Sequence, residues 1–174
     1  MKYTQDEINN KLWAAADSSR TTVDGGVFKD YILTFLFYKY ISDLHKKEKA
    51  KWQERYGDDK ERIALKMNNA RFRIPEGASF YDIYAQQNKD NIGEIINKAL
   101  HAIEEANPNS LENLFLADFN SQALGDTMQK NKMLRHLIHD FYTLDLTDVD
   151  DDILGNSYMY LIQRFGSDAG KKAG

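Results

Sequence analysis

The stretch Val27-Phe-Lys-Asp-Tyr-Ile-Leu-Thr-Phe-Leu-Phe-Tyr-Lys-Tyr-Ile-Ser-Asp-Leu44 is apolar or aromatic around almost its whole circumference when it is drawn as a helix. A helix without a polar face is surrounded by other protein, so this stretch is predicted to be the central element of the core. Few of its residues are β-branched, which argues against a strand despite the aromatic content. Its most apolar part, residues 31–44, is interrupted by Lys39 and Asp43, and it is too short and too charged to span a bilayer.

The sequence on either side of this stretch predicts further helices. Downstream, the same helix is predicted to continue as a polar arm to Tyr56, because Gly57 favours a helix end there. Upstream, Thr4 and Glu7 stand at the spacing of a capping box, ahead of a helix that ends between residues 18 and 20. Capping residues and apolar spacing predict the remaining helices at residues 59–68, 79–85, 91–107, 128–142 and 153–165.

Breaks in the pattern are few, since only two prolines occur. Arg71-Phe-Arg-Ile-Pro75 alternates in polarity before a proline, so it is predicted to be a short edge strand or an extended linker. Residues 111–125 are expected to be irregular. We therefore expect a compact all-α domain of about six to eight helices, with at most one short extended segment. Residues 1–165 would form this helical domain, and residues 166–174 a glycine-rich, basic linker.

The composition excludes several classes of protein. A length of 174 residues with 42% apolar side chains is enough for one domain with its own core. No cysteine occurs, which excludes disulfides and thiolate metal sites and fits a reducing compartment. The N-terminus has no apolar run of the kind found in signal peptides, so a soluble cytoplasmic protein is expected, with no membrane association.

The net charge of −4 conceals a strong asymmetry along the chain. Residues 1–74 carry a net charge of +4, and residues 75–174 carry −8. The positive charge is concentrated in residues 46–73, which contain 10 cationic and 5 anionic side chains. Such a segment attracts phosphates, and that attraction weakens with salt. The interleaved acids are equally typical of an ordinary solvated helix face.

Two histidines and a run of aspartates are the best candidates for a metal site, and both fail on spacing. His136 and His139 lie three residues apart, whereas zinc proteases need four, and no third ligand is suggested, so ordinary surface or interface histidines fit better. The aspartates begin like an EF-hand loop, but Ile153 and Met159 stand where that loop needs glycine and glutamate. Negative charge at a helix start explains the run. Its members are Asp145, Asp148, Asp150, Asp151 and Asp152.

No catalytic motif is found elsewhere. Gly166, Gly170 and Gly174 lack the preceding strand and following helix of a phosphate-binding loop. There is no Gly-x-Ser-x-Gly elbow and no cysteine nucleophile. The residues alone therefore predict no catalytic, cofactor-binding or metal-binding site. They indicate a helical, non-catalytic module, and a free-standing adaptor that binds protein or nucleic acid is one form that it could take.

A series of short motifs along nearly the whole chain resembles the start of the modification subunit (HsdM) of type I restriction–modification systems. Each motif is only moderately specific, and their order and spacing carry the resemblance. Tyr158-Met-Tyr160 departs from the family, which commonly has Tyr-Glu-Tyr there, and Phe80 stands where a tryptophan is more usual. The motifs are Leu12-Trp-Ala-Ala-Ala-Asp17, Phe28-Lys-Asp-Tyr-Ile-Leu33, Leu36-Phe-Tyr-Lys-Tyr-Ile-Ser-Asp43, Arg71-Phe-Arg-Ile-Pro-Glu76, Ser79-Phe-Tyr81, Phe119-Asn-Ser121, Leu124-Gly-Asp126 and Leu154-Gly-Asn-Ser-Tyr-Met-Tyr-Leu-Ile-Gln-Arg-Phe165.

This resemblance implies a parent subunit that is an S-adenosylmethionine-dependent adenine-N6 DNA methyltransferase, which flips its target base out of the duplex. In the family, the cofactor motif and the catalytic Asn-Pro-Pro-Phe motif come after Gly170-Lys-Lys-Ala-Gly174, so this fragment is expected to bind no cofactor and to be non-catalytic by itself. Its implied role is assembly and DNA clamping. The implied partners are the specificity subunit, a second methyltransferase subunit, the restriction subunit and double-stranded DNA.

With this resemblance, the basic segment becomes the candidate surface for DNA. Contacts to phosphates position a duplex without reading its sequence. The candidate phosphate contacts are Lys46, Lys47, Lys49, Lys51, Arg55, Arg62, Lys66, Arg71 and Arg73.

Overall fold

The fold is built around one long helix, which four of the other helices contact. The structure, a computed structural model, describes residues 3–19, 25–109, 111, 115 and 117–173. Within these residues there is no strand, and the predicted all-α class is confirmed. The helices are α1 (Gln5–Ser19), α2 (Gly25–Tyr56), α3 (Lys60–Met67), α4 (Phe80–Ala85), α5 (Ile92–Ala106), α6 (Thr127–Tyr142) and α7 (Asp151–Ala173), with a 3-10 turn at Gln122–Leu124.

The central position of α2 confirms the prediction from its apolar stretch. Helices α3, α4, α6 and α7 all contact α2, while α1 packs on α6 and α7. Phe35 of α2 is fully buried, and its ring lies between 5.1 and 5.8 Å from the rings of Phe80, Phe119 and Phe141. One residue of α2 therefore joins α4, α6 and the segment before the 3-10 turn into a single core.

The helix starts follow the local sequence closely. Thr4 and Glu7 form the predicted capping box, with a 3.0 Å bond from the Thr4 N–H to Glu7 Oε2. Ser79 caps α4, Asp59 caps α3, and Asp150 accepts from the Ile153 N–H at the start of α7. The turn Thr21-Thr-Val-Asp-Gly-Gly26 before α2 predicts Asp24 as its N-cap, and this residue lies outside the described residues.

Of the two alternatives predicted for residues 71–75, the structure has the linker, since no strand is formed there and the side chain of Asn107 binds the backbone of Arg73. Its amide oxygen accepts from the Arg73 N–H at 2.8 Å, and its Nδ2 donates to the Arg73 carbonyl at 2.7 Å. Helix α7 does not end at Phe165 but continues to Ala173, since no proline follows to stop it.

The centre of the core contains a buried ion pair that the sequence did not predict. Lys39 Nζ lies 2.7 Å from Asp43 Oδ2 and donates to the Leu144 carbonyl at 2.6 Å. Asp43 also accepts from the Leu146 N–H at 2.8 Å and from the Tyr81 hydroxyl. Burial lowers the pKa of Lys39, and burial together with the Asp43 bond raises the pKa of Tyr81. Through these hydrogen bonds the pair links α2 to α4 and to the segment after α6.

None of the described helices is long and apolar enough to cross a membrane.

Candidate nucleic-acid interface

The end of α2 and the whole of α3 form a helical hairpin, which we call the arm (residues 46–67). Gly57 ends α2 with a φ of 61°, a left-handed conformation that glycine adopts readily, and Asp59 then starts α3. Ile63 is the buried residue of α3, and Met67 at its end is half-buried. The arm carries eight cationic side chains against five anionic ones.

One side of the arm borders a cleft of about 890 Å³ between α2, α3 and the loop at residues 74–79. Lys46, Lys49 and Lys60 line it, together with the carboxylates of Glu76 and Asp82. His45 also faces the cleft, where burial and the neighbouring Lys49 lower its pKa, so the imidazole is neutral at pH 7. The apolar part of the lining includes Ile63, Ala64, Met67, Ile74 and Pro75.

The rest of the arm surrounds two aromatic rings with positive charge. Trp52 and Tyr56 stack at 5.7 Å, with 10° between their ring planes. Lys51 and Lys66 place their ammonium groups 4.6 and 5.2 Å from the Trp52 ring centroid. Arg55 and Arg62 lie 5.6 and 5.2 Å from the centroid of Tyr56. Four of the predicted phosphate contacts thus meet at one aromatic pair.

Two of the predicted phosphate contacts are bound to acidic side chains of the same chain. Lys47 Nζ lies 3.2 Å from Asp148 Oδ1, and Arg71 Nη1 lies 2.9 Å from both carboxylate oxygens of Asp151. Tyr40 also donates to Asp151, at 2.6 Å. These contacts lower the pKa of Asp151, and burial together with the Asp151 bond raises the pKa of Tyr40 to about 12. The side chain of Arg73 is exposed, beyond the arm.

The residues considered for a metal site do not form one. His136 Nδ1 lies 3.3 Å from Asp140 Oδ2 on α6, and His139 is exposed. Among the residues that the structure describes, no three histidine or carboxylate side chains converge as metal ligands. The aspartates at the start of α7 act as a cap and as partners of Lys47 and Arg71.

The described part of the chain is thus an all-α fold with a basic arm that carries an aromatic pair. Residues 8–141 match the model of the family described as the HsdM N-terminal domain, and the chain belongs to this family. The resemblance found in the motifs is thereby confirmed.

Proteins similar to this chain include type I restriction enzyme methylase subunits. The MpnII methylase subunit of Mycoplasma pneumoniae is 29% identical over 96% of this chain, and the MjaVIII methylase subunit of Methanocaldococcus jannaschii is 30% identical over 98%. A crystal structure of the type I restriction–modification methyltransferase subunit from Streptococcus thermophilus matches 93% of the chain with a TM-score of 0.74 and 26% identity. The chain spans only 36%, 29% and 39% of these three proteins, respectively.

Proposed function

We propose that this chain is the non-catalytic N-terminal domain of a type I adenine-N6 DNA methyltransferase subunit, and that its arm helps to clamp double-stranded DNA. Membership of the HsdM N-terminal domain family supports the first part. The second part rests on the positive charge of the arm, which projects from a chain that is otherwise acidic. A surface of this kind binds the phosphate backbone, and its affinity falls with salt.

In the parent subunit, S-adenosylmethionine would supply the methyl group, and the groups that bind it would lie in polypeptide outside this chain. The helical domain would then contribute to docking on the specificity subunit, on a second methyltransferase subunit and on the restriction subunit. Such a complex would work in the cytoplasm, on DNA. Phosphate contacts from the arm would position the duplex, while its sequence would be read elsewhere.

The candidate cations fall into two groups: those that are paired with a carboxylate and those that have no ion-pair partner among the described residues. Lys47 and Arg71 have carboxylate partners at 3.2 and 2.9 Å, so a phosphate would have to compete for them. Lys49, Lys51 and Lys66 have no ion-pair partner among the described residues and are exposed. These three lysines are therefore candidate phosphate ligands on the arm, and Lys46 and Arg55 are open in the same way.

Charge reversal at the open cations tests the proposal. We expect the triple variant Lys49→Glu, Lys51→Glu, Lys66→Glu to bind a duplex at least about ten-fold more weakly at low salt. The slope of log affinity against log salt should become shallower by about 1 for each phosphate that the arm no longer binds. Fluorescence anisotropy of a labelled duplex at several salt concentrations measures both quantities.

The matched control changes the net charge equally on another surface. The variant Lys89→Glu, Lys132→Glu, Arg135→Glu reverses three exposed cations outside the arm. If both triple variants lose the same affinity, net charge governs binding and the arm is not the interface.

A further inference from the structure

The arm contains an aromatic pair that the core does not need. All nine phenylalanines and Trp13 belong to the hydrophobic core or pack against it. Trp52 and Tyr56 do neither, although tryptophan is the largest apolar side chain and is highly buried on average. Both rings are half-buried, and the ring contacts that they make within the described residues are with each other and with cations of the arm.

The pair, which we call the platform, consists of two parallel, stacked rings. The two residues are one helical turn apart on α2, so their rings lie along the same face. The ring planes are within 10° of parallel, with the centroids 5.7 Å apart. Trp52 Nε1 donates to Glu48 Oε1 at 3.0 Å, one turn earlier, and this bond holds the indole in place. The polar edge of the indole is therefore satisfied, while the ring itself contacts Tyr56 and the ammonium groups of Lys51 and Lys66.

The charge around the platform selects an anionic ligand. Lys51, Arg55 and Lys66 approach the rings, and none of them has an ion-pair partner among the described residues. Arg62 is only loosely paired, with its Nε 3.8 Å from Asp59 Oδ2. Lysine side chains are flexible, so an ammonium group over a ring can move to a phosphate when a planar group takes its place.

We propose that Trp52 and Tyr56 form a stacking site for an unpaired nucleotide, with the surrounding cations holding its phosphates. Aromatic platforms inside a basic surface bind single strands, because an unpaired base exposes a π-face that a duplex hides within its own stack. This inference deepens the proposed function and rests on it: the same arm that contacts duplex phosphates would also hold a base that has left the stack.

The test compares two single strands, one with bases and one without, and a duplex. The ligands are an oligothymidylate of about 12 nucleotides, an abasic oligomer with the same number of phosphates, and a duplex of equal length. The protein is the full chain carrying Trp13→Phe, which leaves Trp52 as the single tryptophan. We expect the oligothymidylate to quench the Trp52 fluorescence saturably, and to bind about ten-fold more tightly than the abasic oligomer.

Two variants in the same background separate stacking from charge. Anisotropy of the labelled oligomers should show that Trp52→Leu loses the preference for the oligothymidylate, while Trp52→Phe, which keeps a ring, retains most of it. Equal binding of the oligothymidylate and the abasic oligomer, without quenching, would overturn the inference and leave duplex binding intact. If the duplex does not bind at low salt either, the proposed function is wrong and the inference falls with it.

Discussion

At the scale of single residues, the buried pair of Lys39 and Asp43 has the largest expected influence on stability. Both side chains are 1% exposed, and Asp43 additionally holds the Leu146 N–H and the Tyr81 hydroxyl. Asp43→Ala would leave a buried ammonium group without its counter-charge. We expect the free energy of unfolding to fall by about 3–5 kcal/mol, as measured by urea denaturation.

The exposed pair of Glu94 and Lys98 provides a matched control. It has the same spacing of four residues, but its side chains are 50% and 76% exposed. Lys98→Ala should therefore cost no more than about 0.5 kcal/mol. If the two substitutions cost the same, burial does not determine the strength of ion pairs in this fold.

At the scale of elements, the weakly attached part of the arm is α3, because it is held on α2 by little buried surface. Ile63 is 7% exposed, whereas Leu65 on the same helix is 65% exposed. We expect Ile63→Ala to release α3 and to raise amide exchange at residues 60–67 by at least about ten-fold, since truncating a buried isoleucine typically costs about 2 kcal/mol or more. Exchange in residues 28–41 of the core should be unchanged.

Leu65→Ala is the comparison for this element. Both substitutions remove a branched apolar side chain from α3, and only their exposure differs. Leu65→Ala should change exchange little, because exposed positions usually contribute within about 0.5 kcal/mol. Faster exchange throughout α2 in the Ile63→Ala variant would contradict the view that the arm opens independently of the core.

The sequence predicts those features of the elements that depend on neighbouring residues. The capping box of Thr4 and Glu7 is local, and so is the end of α2 at Gly57, and both were predicted. The end of α7 was predicted wrongly at Phe165, because the glycine that follows weakens a helix by only about 1 kcal/mol and does not forbid it. The predicted division into residues 1–165 and 166–174 stays a prediction.

Contacts between distant residues account for what the sequence did not predict. The Lys39 ammonium is satisfied by the Leu144 carbonyl, and Arg71 by Asp151, in both cases far along the chain. The second contact, like that of Lys47 with Asp148, removes an apparently open cation from the candidate interface. The sequence alone could have indicated the aromatic platform, since Trp52 and Tyr56 have helical spacing inside the basic segment. Their separation from the core emerged only from the fold.

On the scale of the whole molecule, α7 decides where the folded unit ends. The family match covers residues 8–141, yet α7 begins later and packs on α1 and α2. It contributes Leu154, Leu161 and Phe165 to the core, with exposed fractions of 8%, 0% and 3%. Burying each such side chain is worth about 1.5–3 kcal/mol, so losing all three would consume most of the stability of a typical domain, about 5–15 kcal/mol.

Truncation tests this assignment. A chain ending at Asp150 should lose its cooperative thermal unfolding transition, followed by circular dichroism, because the surfaces of α1 and α2 that α7 covers would be open to water. A chain ending at Ser167 keeps Phe165, and its midpoint should match that of the full chain. If the shorter chain unfolds at the same midpoint as the full chain, α7 is not part of the folded unit, and the predicted domain of residues 1–165 would end too late.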